Sequence, residues 1–265
     1  MKIGIVGLGV VGSAIKYGFD KLGHEVSYHD IMLSTSLEDV LDTQICYICV
    51  PTPSNDDGSC DVSVVGQVVD DLNNLKYEGV VAIKSTVTPG TTVSFQEKYP
   101  NLIICFVPEF LRERSAEADF VENHDLCIIG TKSYTVFNVV KESHGKYPKN
   151  FRKLTPTEAE LAKYFNNTFN ATLVTFANSF YEICKELGAK YTYVKDCLTV
   201  IDHIPDKYLD CNKSFRGFGG MCLPKDTRAL NALCKEKDLD VQFFDMLLSE
   251  NEKYETTVFR GMRKE

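Results

Sequence analysis

Residues 2–12 read Lys2-Ile3-Gly4-Ile5-Val6-Gly7-Leu8-Gly9-Val10-Val11-Gly12, a short β-branched run that ends among glycines. The run predicts a buried strand and the residues beyond it, Val11 to Leu22, a helix, so Gly7, Gly9 and Gly12 occupy a strand-to-helix turn. In that context the three glycines have separate tasks. The first permits the tight turn, the second lets the backbone approach a pyrophosphate, and the third allows the helix to pack closely on the strand, with the pyrophosphate at the helix N-terminus. Asp30 closes the next strand at about the ~20-residue distance at which a carboxylate accepts from a ribose 2′-hydroxyl. Its charge would repel a 2′-phosphate, which favours NAD over NADP. The alternative is a glycine-rich turn in a ligand-free α/β domain.

Outward from this turn, short β-branched runs alternate with helical patterns as far as about Thr131. KIGIVG, EVSYHD, ICYICV, VVAIKST, LIICFV and DLCIIG are the expected strands, with helices over Val11–Leu22, Val62–Leu75, Thr91–Tyr99 and Tyr134–Ser143. The fold class is α/β, a Rossmann-type parallel sheet. Open sheets of this kind bind ligands at the carboxyl ends of their strands, so the loops Val50-Pro51-Thr52-Pro53 and Ser85-Thr86-Val87 are expected cofactor contacts. Near Lys146 to Lys153 the strand pattern stops at a basic stretch, YPKNFRKLTP, and helices follow. The expected division is a dinucleotide-binding domain over 1–150 and a helical domain over 151–265. An amphipathic helix is predicted from Thr157 to about Leu187, with Leu161, Phe165, Phe169, Leu173, Phe176 and Phe180 at helical spacing. A helix near Tyr191–Val200, an irregular stretch over Asp202–Lys225, and helices over Asp226–Lys237 and from Val241 onward complete the reading.

Composition bounds the function. A chain of 265 residues with 44% hydrophobic and 25% charged residues is an ordinary folded protein, long enough for two domains. A net charge of −8 without any Lys/Arg run argues against nucleic-acid binding. No segment fits a signal peptide or a membrane span. Most of the ten cysteines lie in apolar runs, as buried thiols do in a reducing cytoplasm. Cys46 and Cys49 form a C-x-x-C pair, but residues three apart on a strand face opposite sides of the sheet, which argues against a zinc or redox role. No metal is expected.

Two further groups carry chemistry. Gly217-Phe218-Gly219-Gly220-Met221-Cys222-Leu223-Pro224-Lys225-Asp226 is a glycine-rich loop with a thiol, an ammonium and a carboxylate. Cys222 is either a structural thiol or a thiolate nucleophile whose ionisation is favoured by Lys225 or by a helix N-terminus near Asp226. Asp226 itself has the ordinary reading of a helix N-cap. Lys163 and Asn167, four apart on the long helix, share a face; they form a solvated face or converge on one oxygen.

The stretch GFGGMCLPKD resembles the active-site loop of the nucleotide-sugar dehydrogenases, the UDP-glucose 6-dehydrogenase and GDP-mannose dehydrogenase family. The glycine fingerprint, VPTPSNDDGSCD from Val50, KSTVTPGTT from Lys84, VPEFLRE from Val107 and EAELAKYFNNTF from Glu158 resemble the same family in order and approximate spacing. The resemblance implies an NAD enzyme that oxidises a sugar C6 hydroxyl to a carboxylate with two NAD, Cys222 trapping the aldehyde as a thiohemiacetal and then carrying a thioester. It implies that Asp226 works with a water held near Thr86. Lys163 and Asn167 would contact the sugar and stabilise oxyanion charge, and Glu109 would be the base for thioester hydrolysis. Glu113 would lie near the nicotinamide, Phe110 and Leu111 would hold the sugar through their backbone, and Lys213 and Gly219 would contact the substrate, Lys213 at a phosphate. Val10 and Val11 would join the glycines at the cofactor. The implied substrate is UDP-glucose, giving UDP-glucuronate, with GDP-mannose and UDP-N-acetylhexosamines as neighbours. The 157–187 helix would pair two copies in a homodimer, unless its apolar stripe packs internally.

Family members continue into another α/β domain that binds much of the nucleotide diphosphate, and YLDCNKSFRGFGG departs from the usual spacing before the glycines. The expectation is a natural short form, a chain completed by another polypeptide, or a truncation after the central helix. Two other functions compete. A short β-hydroxyacid dehydrogenase, resembling the 3-hydroxyisobutyrate and 6-phosphogluconate enzymes, would use the lysine–asparagine helix without a thiol nucleophile. A non-catalytic partner would bind NAD or a nucleotide sugar alone.

Overall fold

The computed structural model describes residues 1–257. Within it the chain forms two compact units, one of Met1–Pro53 and Cys60–Lys163, the other of Ser54–Ser59 and the residues from Tyr164 on.

The first unit is a seven-stranded sheet of β1 (Lys2–Val6), β2 (Glu25–His29), β3 (Ile45–Ile48), β4 (Val80–Ile83), β5 (Ile103–Phe106), β6 (Leu126–Gly130) and β7 (Asn150–Leu154), in the order β2-β1-β3-β4-β5-β6-β7. Its helices are α1 (Val10–Lys21), α2 (Ser63–Asn74), α3 (Thr91–Lys98), α4 (Ala116–Val121) and α5 (Tyr134–His144). Strands β3 and β4 are buried at every position, which is why they read as continuous apolar runs: helices cover both faces of a parallel sheet. Alternate side chains feed two cores. Cys46, Ile48, Val69, Ile83 and Phe106 pack on one face, and Ile5, Phe19, Tyr47, Ala82, Cys105 and Phe120 on the other. β1 pairs with β2 on one side and β3 on the other, so the strand order reverses there. Such a switch point opens a crevice at the carboxyl ends of the two strands.

All six expected strands are present. β7 is an addition, formed by part of the basic stretch expected to end the strand pattern, and it pairs in parallel with β6. The sheet is mostly rather than wholly parallel, because β5 and β6 meet antiparallel through the single pair Phe106 and Gly130. The four helices expected in this unit begin and end within one residue of those observed, and α4 is an addition.

Helix α6 (Pro156–Glu186) starts at a capping box: Glu158 accepts from the Thr155 N–H at 2.8 Å and the Glu158 N–H points at the Thr155 hydroxyl at 3.4 Å. Pro156 takes the first helical position, where a missing N–H costs nothing. A β-carbon on Gly130 would lie 2.7 Å from the Ala159 methyl and 3.0 Å from the Pro156 α-carbon, so the glycine is what lets α6 lie against the end of β6.

The second unit holds α6 from Tyr164 on, α7 (Tyr191–Leu198), α8 (Leu223–Glu236) and α9 (Phe243–Asn251). Ala177, Cys184, Tyr191, Leu209 and Cys211 form one core, and Ala171, Phe218 and Leu247 a smaller one. Of the α6 stripe, Leu173 packs against the first of these cores, while Phe165, Phe169, Phe176 and Phe180 are exposed, Phe165 at 73%. Leu161, in the first unit, is exposed as well. The helix expected from Val241 onward is α9, which ends at Asn251; the part of that expectation beyond residue 257 lies outside the described residues. Among the described residues no helix is long and apolar enough to cross a membrane.

Gly130→Ala is expected to lower stability by about 1–3 kcal/mol through overpacking against Ala159, read as a lower midpoint in thermal or urea unfolding.

Candidate active site

The glycine turn divides its tasks as the residue types require. Gly7 has φ +90°, a conformation open to glycine, and a β-carbon there would meet the Cys49 carbonyl at 2.8 Å. A β-carbon on Gly12 would lie 1.9 Å from the Gly7 carbonyl oxygen, so α1 can approach β1 only with glycine at that position. Gly9 is different: nothing lies within 4 Å of its missing β-carbon. It is the N-cap of α1 without a side-chain cap, and it leaves open space beside the helix N-terminus, as a bound pyrophosphate requires. Val10 and Val11 follow as the first helical residues, both half-buried. The Asp30 carboxylate accepts from the Leu8 N–H at 2.6 Å and from the Met32 N–H at 2.8 Å, and these backbone donors hold it below the usual carboxylate range. An ionised acceptor therefore stands on the glycine turn itself.

Two more loops leave the same end of the sheet. The Ser85 hydroxyl donates to the Val50 carbonyl at 2.7 Å and lies 3.3 Å from the Ile48 carbonyl, tying the loop after β4 to the loop after β3. Thr52 is buried, Pro51 exposed and Thr86 half-buried, with the Thr86 carbonyl accepting from the Cys60 thiol at 3.5 Å. Cys46 and Cys49 pack against opposite cores, and burial pushes the Cys49 thiol up to about 12, against the pull of Lys84. Among the described residues no His/Cys/Asp/Glu group is arranged to hold a metal.

After β5 the chain brings Glu109 to α6. Lys163 Nζ donates to the Glu109 carbonyl oxygen at 2.7 Å and lies 3.4 Å from Glu109 Oε1, with side-chain exposures of 6% and 11%. The other carboxylate oxygen accepts from the Leu111 N–H at 2.6 Å, and the ammonium sits 5.7 Å from the Phe110 ring centre. Thus Glu109, Phe110, Leu111 and Lys163 form one cluster. Glu113 is half-buried at the start of a 3-10 turn. Arg112 makes a bidentate pair with Asp119, at 2.9 and 2.6 Å, which anchors this loop to α4.

In the second unit Cys222 is exposed and is itself the N-cap of α8. The helix begins three residues earlier than expected, at Leu223-Pro224, so Asp226 is not a cap but lies in the first turn, its N–H bonded to the Cys222 carbonyl at 2.9 Å. Proline at the helix start was the signal available in the sequence. Asp226 is 1% exposed; its carboxylate accepts from Asn167 Nδ2 at 2.5 Å and from Lys225 Nζ at 2.6 Å. Asn167 and Lys225 are thereby drawn to one buried carboxylate a turn away from the thiol.

The glycines before Cys222 are held by residues that carry no motif. Asn178, buried on α6, accepts from Arg216 Nε at 2.6 Å and from the Gly217 N–H at 3.3 Å. Asn251, at the end of α9, bonds both the N–H and the carbonyl of Phe218, at 2.8 and 3.0 Å. The Arg216 guanidinium pairs with Glu182 at 2.7 Å and stacks between Tyr181 and Tyr254. Gly219 is half-buried beside Thr256, and Lys213 is exposed in a turn between Asn212 and Phe215.

Asn178→Ala is expected to cost about 1–3 kcal/mol by leaving buried donors unsatisfied, with faster amide hydrogen exchange over residues 216–220.

Residues 29–147 match the UDP-glucose/GDP-mannose dehydrogenase family, NAD binding domain, and residues 157–253 match the central domain of the same family. The UDP-glucose 6-dehydrogenase of Rickettsia bellii (strain RML369-C) is 29% identical over 244 residues, 88% of this chain and 55% of its own length. The UDP-glucose 6-dehydrogenase TuaD of Bacillus subtilis (strain 168) is 32% identical over 220 residues, 80% and 47% respectively. The chain spans about half the length of these relatives. Among solved structures, a UDP-glucose dehydrogenase from the archaeon Pyrobaculum islandicum superposes with a TM-score of 0.86 at 26% identity, covering 95% of this chain and 68% of the other. A Mycobacterium tuberculosis 3-hydroxyisobutyrate dehydrogenase, at 14% identity and a TM-score of 0.76 over 95% of this chain and 92% of its own, shares the fold alone. With the glycine turn shaped for a dinucleotide and both family domains matched in order, the chain belongs to the UDP-glucose/GDP-mannose dehydrogenase family, with NAD as its cofactor.

Proposed function

We propose that the chain carries the four-electron oxidation of a nucleotide-sugar C6 hydroxyl to a carboxylate, with UDP-glucose as substrate and UDP-glucuronate as product. The observation that carries this reading is the exposed Cys222 thiol at the N-terminus of α8, one turn before a buried Asp226 held by Asn167 and Lys225. A single oxidation of an alcohol has no use for a thiol; an oxidation continuing to the acid can use one to retain the aldehyde as a covalent intermediate. The Rickettsia bellii and Bacillus subtilis relatives, both UDP-glucose 6-dehydrogenases, support UDP-glucose over GDP-mannose or an N-acetylhexosamine nucleotide.

Gly7, Gly9, Gly12 and Asp30 would hold NAD, which would supply the hydride acceptor for each of the two oxidations. The remaining work belongs to side chains. Asp226 takes the hydroxyl proton through a water in the first oxidation, and Thr86 serves the same step. The Cys222 sulfur then adds to the aldehyde carbon as the thiol proton passes to the aldehyde oxygen; in the second oxidation the hydroxyl of this thiohemiacetal gives its proton to a water and its carbon loses a hydride, which leaves a thioester. Lys163 and Asn167 donate to the oxygen on which negative charge develops, and Glu109 takes a proton from the water that hydrolyses the thioester and frees the thiol. Phe110, Leu111, Gly219 and Lys213 contact the substrate, Lys213 at a phosphate. Asp30 would hold the cofactor ribose, and Glu113, Val50, Pro51, Thr52 and Ser85 would complete the cofactor wall.

Residues 1–150 serve as the NAD-binding domain and 151–265 as the central domain, a division supported by the two family matches. The exposed phenylalanines of α6 support a homodimer through that helix, since a large apolar stripe left in water marks an interface. Ten thiols support a reducing, cytoplasmic setting.

Incubated with NAD and a panel of nucleotide sugars, the chain is expected to release two NADH per sugar acid from UDP-glucose. Cys222→Ser should lower acid formation by roughly a thousandfold or more. One NADH per turnover, unaffected by Cys222→Ser, would favour a single-oxidation enzyme instead, and no turnover on any sugar would contradict independent activity. Asp30→Ala should weaken NAD binding by about 10- to 100-fold, the worth of a charge-assisted hydrogen bond, and narrow the preference over NADP in a titration of both.

A further inference from the structure

We propose that Glu160 is a positioning residue for this reaction: it pins the far end of the loop that carries Thr86 to the turn of α6 that carries Lys163. The inference rests on the functional reading above. Glu160 is wholly buried, yet among the described residues its carboxylate forms no ion pair with a cation. It accepts instead from the Gly90 N–H at 2.6 Å, the Thr92 N–H at 2.8 Å and the Thr92 hydroxyl at 2.6 Å. These donors are the open N-terminus of α3. That helix has no side-chain cap of its own, because its N-cap is Gly90, at φ +100°. A residue about seventy positions later supplies the cap.

The consequence is a loop fixed at both ends. At its start Ser85 bonds the Val50 carbonyl; at its finish Gly90 and Thr92 bond Glu160; Thr86 lies between. Three residues after Glu160 on the same helix face, Lys163 holds Glu109. One turn of α6 therefore sets the spacing between the loop after β4 and the loop after β5. Burial pushes the Glu160 carboxyl above its ordinary range, against the pull of the Thr92 and Gly90 donors. A carboxylate kept in so unfavourable a place, where an apolar residue would fill the volume, is consistent with a positional task.

Glu160→Gln preserves shape but turns an amide donor toward one of the three donors. The test measures kcat, KM and NAD dissociation for the wild type, Glu160→Gln, Thr86→Ala and the double variant, with amide exchange over residues 85–92. Glu158→Ala, which removes only the α6 capping box, serves as control and should keep full activity. Glu160→Gln should lower kcat by about 10- to 100-fold, as a misplaced catalytic group does, with NAD affinity within about threefold and faster exchange confined to the loop. The double variant should be no slower than Thr86→Ala, because Glu160 acts through Thr86. A wild-type kcat in Glu160→Gln, losses that multiply in the double variant, or NAD affinity falling in step with kcat would each overturn the proposal. If Glu160→Gln does not fold, Thr92→Val removes one of the three bonds and should give a smaller loss of kcat; an unchanged kcat there would also overturn it. A wild type inactive on every nucleotide sugar would overturn the functional reading and Glu160's part in catalysis with it, recognisable because exchange over 85–92 would still quicken in Glu160→Gln.

Discussion

Two ionisable side chains, Glu160 and Lys163, sit almost without solvent on neighbouring positions of α6. Burying an ion costs several kcal/mol unless its charge is met by well-placed partners, so the first turns of this helix cannot form in their native setting until the partners arrive. The partners come from two loops: the Gly90 and Thr92 N–H groups and the Thr92 hydroxyl after β4, and the Glu109 backbone carbonyl and carboxylate after β5. A rigid helix thereby gauges two loops that the sheet alone would leave free to move. The same arrangement explains Gly130, whose missing β-carbon is the space into which Ala159 fits.

The second unit solves a similar problem around Asp226. Its carboxylate is buried and met by one amide and one ammonium, at 2.5 and 2.6 Å, while the thiol one turn earlier stays exposed. Burial of the carboxylate and exposure of the thiol on one helical turn separate a fixed acceptor from a reactive group. Around them, Asn178 and Asn251, remote in sequence, bond the glycine loop, and Arg216 at its start is held by Asn178 and Glu182.

What the sequence made legible was chemistry tied to residue type at short range. The glycine turn is the clearest instance: tight turn, open approach and close packing fall on Gly7, Gly9 and Gly12 because each demand excludes a β-carbon or leaves room where one is absent. Strands β1 and β3–β6 announced themselves as apolar runs because they are buried, β3 and β4 along their whole length. β7 did not, because Asn150 and Arg152 are exposed and its sequence, NFRKL, reads as a basic linker. The antiparallel meeting of β5 and β6 rests on one residue pair and leaves no pattern. Asn178 and Asn251 are ordinary helical asparagines in sequence; only the partner loop, more than thirty residues away for each, gives them a role. Glu160 stands within EAELAKYFNNTF, but the donors to its carboxylate, on Gly90 and Thr92, lie before β5 in sequence, out of reach of any local reading.

The most direct test of the account is the intact mass of Glu109→Gln incubated with NAD and UDP-glucose. With the hydrolytic base removed and Cys222 intact, the account predicts a stable adduct with the mass of the sugar-nucleotide acyl group, mapped by peptide digestion to Cys222 and absent when NAD is withheld. No adduct, or one on another of the ten cysteines, would contradict it.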